Sequence, residues 1–205
     1  MWRMVLLCAV AGFADAFGYV AFGHVFTANM TGTSVLLSIS AAGGEWHRVA
    51  IYAATLAAFL VGAFAAGILK HALRRPFAAL LAAGALLAAV PFLAVDATGA
   101  LMLLAAAMGL QGAALNRFGS VVLPTVVITG TILRLADGLV ARFWAARQTG
   151  AATVANEETS FAAVAWLTYA VGGALGVGGT VLGPLTLLGP ALLLAGLGLR
   201  IAAGR

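Results

Sequence analysis

The sequence predicts an all-α polytopic membrane protein: two inverted repeats, each with three transmembrane helices and one broken or re-entrant Thr-Gly-Thr segment. Three observations carry that expectation. Apolar residues make up 63% of the 205 residues, charged residues only 8%, and the mean hydropathy is +1.10, whereas soluble domains carry roughly 25% charged residues. The eleven Lys and Arg residues are scattered at the ends of apolar runs. That is the pattern of topology signals rather than of a nucleic-acid surface, despite the net charge of +5. Finally, Thr31-Gly32-Thr33 recurs as Thr129-Gly130-Thr131, one copy in each half. With no extramembrane stretch long enough to bury its own core, residues 1–205 form a single membrane domain, with repeat 1 at about 1–96 and repeat 2 at about 97–205.

Eight apolar segments follow one another, near 2–22, 28–42, 47–69, 76–95, 98–117, 122–141, 161–181 and 184–202. The first begins after Arg3 and continues to about Phe22 without a small-residue cleavage site, so it reads as a retained helix and not a signal peptide. It holds Cys8, the single cysteine, so there is neither an intrachain disulfide nor a thiol metal site. The second segment opens on the polar stretch Thr27 to Thr33. Glycine costs about 1 kcal/mol in a helix interior and threonine is stiff at its first torsion, which predicts a break there. Beyond it, Thr33 to Ala42 covers only about 15 Å of a hydrocarbon core about 30 Å thick. The third and fourth segments are of full length, and Pro76 suits a first helical turn. The fifth is the counterpart of the first, with Gly109-Leu110-Gln111 against Gly12-Phe13-Ala14, and the sixth shares the break of the second. The polar stretch Arg147 to Ser160 reads as an inserted loop, because the offset between the halves grows across it. Beyond the loop, Tyr169-Ala170-Val171-Gly172 aligns with Phe59-Leu60-Val61-Gly62, and Pro184 with Pro76.

Charge separates two topologies. If all eight segments crossed, Lys70, Arg74, Arg75 and Arg117 would share one face and the other seven basic residues the opposite one. If the second and sixth segments only dip in and return, Arg48 stands alone opposite the other ten. The positive-inside tendency favours the second arrangement, with six crossings and both termini cytoplasmic. Three crossings per half invert the second half relative to the first. The two broken segments are then expected to meet near the midplane, where transporters of this kind bind their substrates.

The elements Gly12-Phe13-Ala14-Asp15-Ala16, Asn29-Met30-Thr31-Gly32-Thr33, Gly109-Leu110-Gln111 and Thr129-Gly130-Thr131 resemble the recurring signatures of the YoaK family of bacterial membrane proteins, over nearly the whole chain. The resemblance implies a small bacterial inner-membrane protein and implies no activity. The family usually has Asn after the first Thr-Gly and a polar residue after the Gln. This chain has Thr33 and Gly112 at those places.

Asp15 is the acidic residue well inside a crossing segment. A charge at the helix centre costs about 2.5–3.5 kcal/mol on insertion scales, so something must compensate it. It is either a proton or cation site facing the bundle interior, or a hydrogen-bonded tie to the broken segment. Asn29, Thr31, Gly32 and Thr33, with Thr129, Gly130 and Thr131 in the other half, sit at helix starts. Their unpaired N–H groups and positive dipole suit an anionic or carbonyl-bearing ligand, although such hydroxyls also cap their own helices. Gln111 aligns beside Asp15 and is assigned to the same site, while Asn116, next to Arg117, holds helices together. Arg134 and Asp137 read as a local ion pair. His24, His47 and His71 fall in three different loops without ligand spacing, so no metal and no cofactor is expected. Neither a nucleophile with its base nor a metal cluster speaks for an enzyme. Small-residue stripes such as Ala58, Gly62 and Ala66 allow close helix packing within a subunit or in a homo-oligomer. The expected function is secondary, proton-coupled transport of a small polar or anionic solute, with the bilayer and the solute as partners. The alternatives are a channel, which needs a continuous polar file, and a helper subunit of another membrane protein.

Overall fold

The computed structural model describes residues 1–93, 95–115, 117–118, 121–122, 128–145 and 152–204, with side chains described outside 116–129 and 141–158. The helices are α1 (Trp2–Ala21), α2 (Met30–Ala42), α3 (Trp46–His71), α4 (Pro76–Ala89), α5 (Ala97–Ala114), α6 (Ile128–Ala145), α7 (Ala152–Leu182) and α8 (Leu188–Ala203). A short antiparallel pair, β1 (Arg117–Phe118) and β2 (Val121–Val122), follows α5 with Arg117 opposite Val122, and a 3-10 turn, Pro184–Leu187, precedes α8.

Among the described residues, five helical stretches are long and apolar enough to cross a membrane: α1, α3, α5, the Thr159–Leu182 part of α7, and Pro184–Ala203. The chain is a multi-pass membrane protein. Helix α4 is shorter than the segment expected at 76–95 and ends just before Pro91, which has no N–H to continue the hydrogen-bond ladder. Helix α6 begins at Ile128 and not near 122, where Val121–Val122 form β2. The expected loop at Arg147 to Ser160 is helical from Ala152 onward, as the run of Ala and Glu in Ala152-Thr153-Val154-Ala155-Asn156-Glu157-Glu158 favours. His47 and His71 lie on α3 and not in loops.

Close packing is built on small residues. A Cβ added to Gly12 would collide with the Tyr169 carbonyl, and one on Gly172 with the Ala9 carbonyl, so α1 and α7 touch backbone to backbone. Helices α3 and α5 do the same, Gly62 lying against the Ala106 carbonyl and Gly109 against that of Phe59. Side-chain-free contacts of this kind let helices gain dispersion energy where lipid supplies no hydrophobic drive. On α4 and α8, Gly84 lies against the Ala191 carbonyl while Gly198 lies against Leu81 and the Phe77 carbonyl, so these two helices run antiparallel. The centre is filled by Leu7, Ala11, Leu80, Leu104, Met108 and Leu194, all fully buried. Val61 and Phe64 of α3, with Val171 and Leu175 of α7, face outward, as apolar side chains in lipid do. The guanidinium of Arg3 stands 5.7 Å and that of Arg200 5.6 Å from the Trp2 ring. The start of α1 and the end of α8 therefore meet on one face.

Candidate functional site

Asp15 sits on α1 about two turns before its end and is 3% exposed. The chain reverses just beyond α1 through Gly23 (φ 93°) and His24 (φ 65°), the left-handed region that glycine enters without steric cost. Tyr19 holds the returning loop, its ring stacked on Phe26 at 4.7 Å with the His24 ring edge-on at 5.0 Å. Thr27 then lies against the bare backbone of Gly18, where an added Cβ would stand 2.7 Å from the threonine methyl.

This reversal aims three successive backbone amides at one carboxylate oxygen. Asp15 Oδ1 accepts from the N–H groups of Thr27 (2.7 Å), Ala28 (2.6 Å) and Asn29 (3.1 Å). Consecutive amides converging on one point form an anion-binding nest, here filled by the protein's own side chain. The tyrosine hydroxyl of Tyr169, on α7, donates to the other oxygen, Oδ2. One carboxylate thus joins α1, the loop ahead of α2, and a helix of the second half. Hydrogen bonds to an ionised acceptor are roughly twice as strong as neutral ones.

The rest of the first polar stretch is occupied with its own helix. Asn29 is the N-cap of α2, its Oδ1 accepting from the Gly32 amide at 3.2 Å. The Thr33 hydroxyl donates to the Phe26 carbonyl at 2.9 Å, and Thr31 is exposed. Gly32 is required by crowding, since a Cβ there would stand 2.8 Å from Asn29 Nδ2 and 2.9 Å from the Phe26 ring. The expected break therefore lies in the loop before α2, which runs unbroken from Met30 with Gly32 in its first turn. Gly130 likewise falls in the first turn of α6. Thr131 is buried and Gly130 partly so, while the Thr129 side chain lies outside the described residues. Helix α2 packs on α3, and α6 on α7. Each of these helices thus packs on the long helix of its own half.

Gln111 is fully buried but belongs elsewhere. Its Nε2 donates to the Leu7 carbonyl at 2.7 Å, two helical turns before Asp15, about 12 Å along α1. It ties α5 to α1, and its Oε1 has no partner among the described residues. Tyr169 and Thr27 are the members of the site that were not anticipated. Thr27 is fully buried, its hydroxyl unpaired among the described residues. The signal for Tyr169 was a hydroxyl in the middle of an apolar run, a group that buried tyrosines pair with a polar partner.

The family model described as "Protein of unknown function (DUF1275)" matches residues 3–200. The UPF0700 transmembrane protein YoaK of Bacillus subtilis (strain 168) is 29% identical over 180 residues, covering 82% of this chain and 78% of the relative. No solved structure matches the chain. With nearly the whole chain matched by one model, from the start of α1 to the last turns of α8, this protein belongs to the DUF1275 family.

Proposed function

We propose that the protein is a secondary transporter of a small polar or anionic solute in the bacterial inner membrane, coupled to protons through Asp15, and not an enzyme. The observation that carries this is the double engagement of the Asp15 carboxylate, by three loop amides on one oxygen and by Tyr169 on the other. Protonation turns one carboxylate oxygen into a donor and removes the charge that strengthens the remaining bonds. The loop ahead of α2 and helix α7 are then less firmly held together, and the amide nest becomes open to another anion. The Asp15 carboxylate and a solute anion would thus compete for one piece of backbone, and a proton on Asp15 would favour the anion.

The architecture favours the same reading. Gly12 and Gly109 occupy matching sequence positions, as do Gly172 and Gly62, and each meets the carbonyl of a residue whose partner in the other half is also matched. Such correspondence is expected of two inverted repeats. Antiparallel α4 and α8 support six crossings, since they would run parallel if α5, α6 and α7 all crossed. Helix α6 carries Arg134, Asp137 and Arg142, the charges least suited to a span. The excess of basic residues on their face favours cytoplasmic termini.

The test is flux in proteoliposomes over a panel of small anions and neutral polar solutes, with and without an imposed pH gradient. Wild type is expected to accumulate one solute class when a gradient is applied, and Asp15→Asn to lose accumulation while retaining exchange. Equal gradient-driven accumulation by both proteins would remove Asp15 from coupling. Solute passage at channel rates, or none with any solute, would favour a channel or a helper subunit.

A further inference from the structure

A cavity of about 240 Å³ opens where α1 ends and α3 and α5 begin, lined by Phe22, Val25, His47, Arg48, Tyr52 and Thr98 among others. It is distinct from the Asp15 site, although Val25 belongs to the loop that carries Thr27 to Asn29 toward that carboxylate.

Four features of its wall point to one kind of ligand. Two helices start beside it, α3 at Trp46 and α5 at Ala97. His47, Arg48, Ala97 and Thr98 in their first turns all line it, and among the described residues the amides of these four make no hydrogen bond. Helix starts of this kind attract anions. Tyr52 supplies an independent observation. It is only 4% exposed, it lines the cavity, and its hydroxyl has no partner among the described residues. The hydroxyl is not closed off from the cavity, so an occupant can accept its hydrogen bond. Arg48 brings a permanent positive charge. Its Nε is 3.5 Å from Glu45 Oε2, with the two side chains 64% and 53% exposed, a pair weak enough to be shared with a ligand. The neighbouring carboxylates are already engaged and do not line the cavity: Glu45 accepts from the Ser40 hydroxyl at 3.0 Å, and Asp96 from the Gly99 amide at 2.9 Å. The remaining wall, including Ile51 and Leu101, is apolar.

We propose that this cavity is a binding site for a small organic monocarboxylate. The carboxylate sits toward Arg48, the Tyr52 hydroxyl and the two helix starts, and a short apolar tail lies against Ile51 and Leu101. Mixed walls of this sort, mainly apolar with a few convergent polar groups, are the usual makeup of small-molecule sites. Binding here does not require that the protein transport anything, so this site and the coupling role of Asp15 stand or fall separately.

Isothermal titration of the full-length protein in detergent tests it, with acetate, butyrate, benzoate, chloride and inorganic phosphate as probes. Butyrate or benzoate is expected to bind saturably at one site per chain, more tightly than acetate, chloride or phosphate. Arg48→Gln should weaken that binding by about tenfold, the loss of one charge-assisted hydrogen bond, and Tyr52→Phe should weaken it by severalfold. Lys70→Gln, at the far end of α3, should not change it. The proposal is overturned if wild type binds none of the carboxylates, if chloride or phosphate binds more tightly than they do, or if Lys70→Gln weakens binding as much as Arg48→Gln.

Discussion

A lone acid in an apolar run announces that something must hold it, but not what. Asp15 was legible as a buried carboxylate because ionised groups are expensive at the centre of a helix in lipid. Its partners were not, because three of the four are backbone amides, which every sequence carries and no sequence marks. The fourth, Tyr169, is 154 residues away. Removing its hydroxyl by Tyr169→Phe leaves Oδ2 buried without a donor. A hydrogen bond to a charged group contributes about 1.5–3 kcal/mol, and a loss of that size is expected in unfolding of the purified protein. In a double-mutant cycle with Asp15→Asn the two effects should not add, because they act on one bond. Full additivity would mean that the two side chains are not partners in solution.

At the scale of the helix, small residues decided more than charged ones. The Ala58, Gly62 and Ala66 stripe was readable as a packing face, and Gly62 indeed lies against the backbone of α5. Which helix each stripe meets was not readable, because a glycine advertises close approach without naming its neighbour. The contrast between packed and open glycines gives a test within single helices. Gly12→Leu and Gly62→Leu would drive a side chain into a facing carbonyl, and overpacking of that sort costs about 1–3 kcal/mol or more. Both are expected to lose the monodisperse peak in fluorescence-detected size exclusion. Gly67→Ala on α3 and Gly178→Ala on α7 have open space around them and should retain it, with a gain near 1 kcal/mol from helix propensity alone. If the leucine variants behave like the alanine variants, the backbone contacts are not present. The Thr-Gly-Thr stretches show the other side of the same rule. Their composition marked a disfavoured helix interior, but the first turn of a helix tolerates them, and in α2 Asn29 caps that turn while the Thr33 hydroxyl ties back to the Phe26 carbonyl.

For the whole molecule the question is which side of the membrane each connection occupies. Cys8 is 1% exposed, so labelling of the unmodified chain by a membrane-impermeant maleimide should be minimal. Cysteines introduced at Glu45 and Ala72, both exposed and flanking α3, then report sidedness in intact cells. Six crossings with cytoplasmic ends predict labelling at Glu45→Cys from outside and at Ala72→Cys only after the cells are opened. Labelling of both from one side would contradict α3 as a span and with it the six-crossing arrangement. The same experiment bears on the cavity near Arg48, which lies at the Glu45 end of α3.

Legible in the residues alone are the solvent, the number and approximate position of the apolar segments, the acid that needs a partner and the glycines that need a close neighbour. These follow from composition and local chemistry, which act residue by residue. It took the folded backbone to show that Asp15 fills a nest of amides beside Tyr169, and that Gln111 ties α5 to Leu7 and not to Asp15. The reason is physical: backbone amides and carbonyls are identical along the chain, and only the path of the folded backbone decides which of them converge.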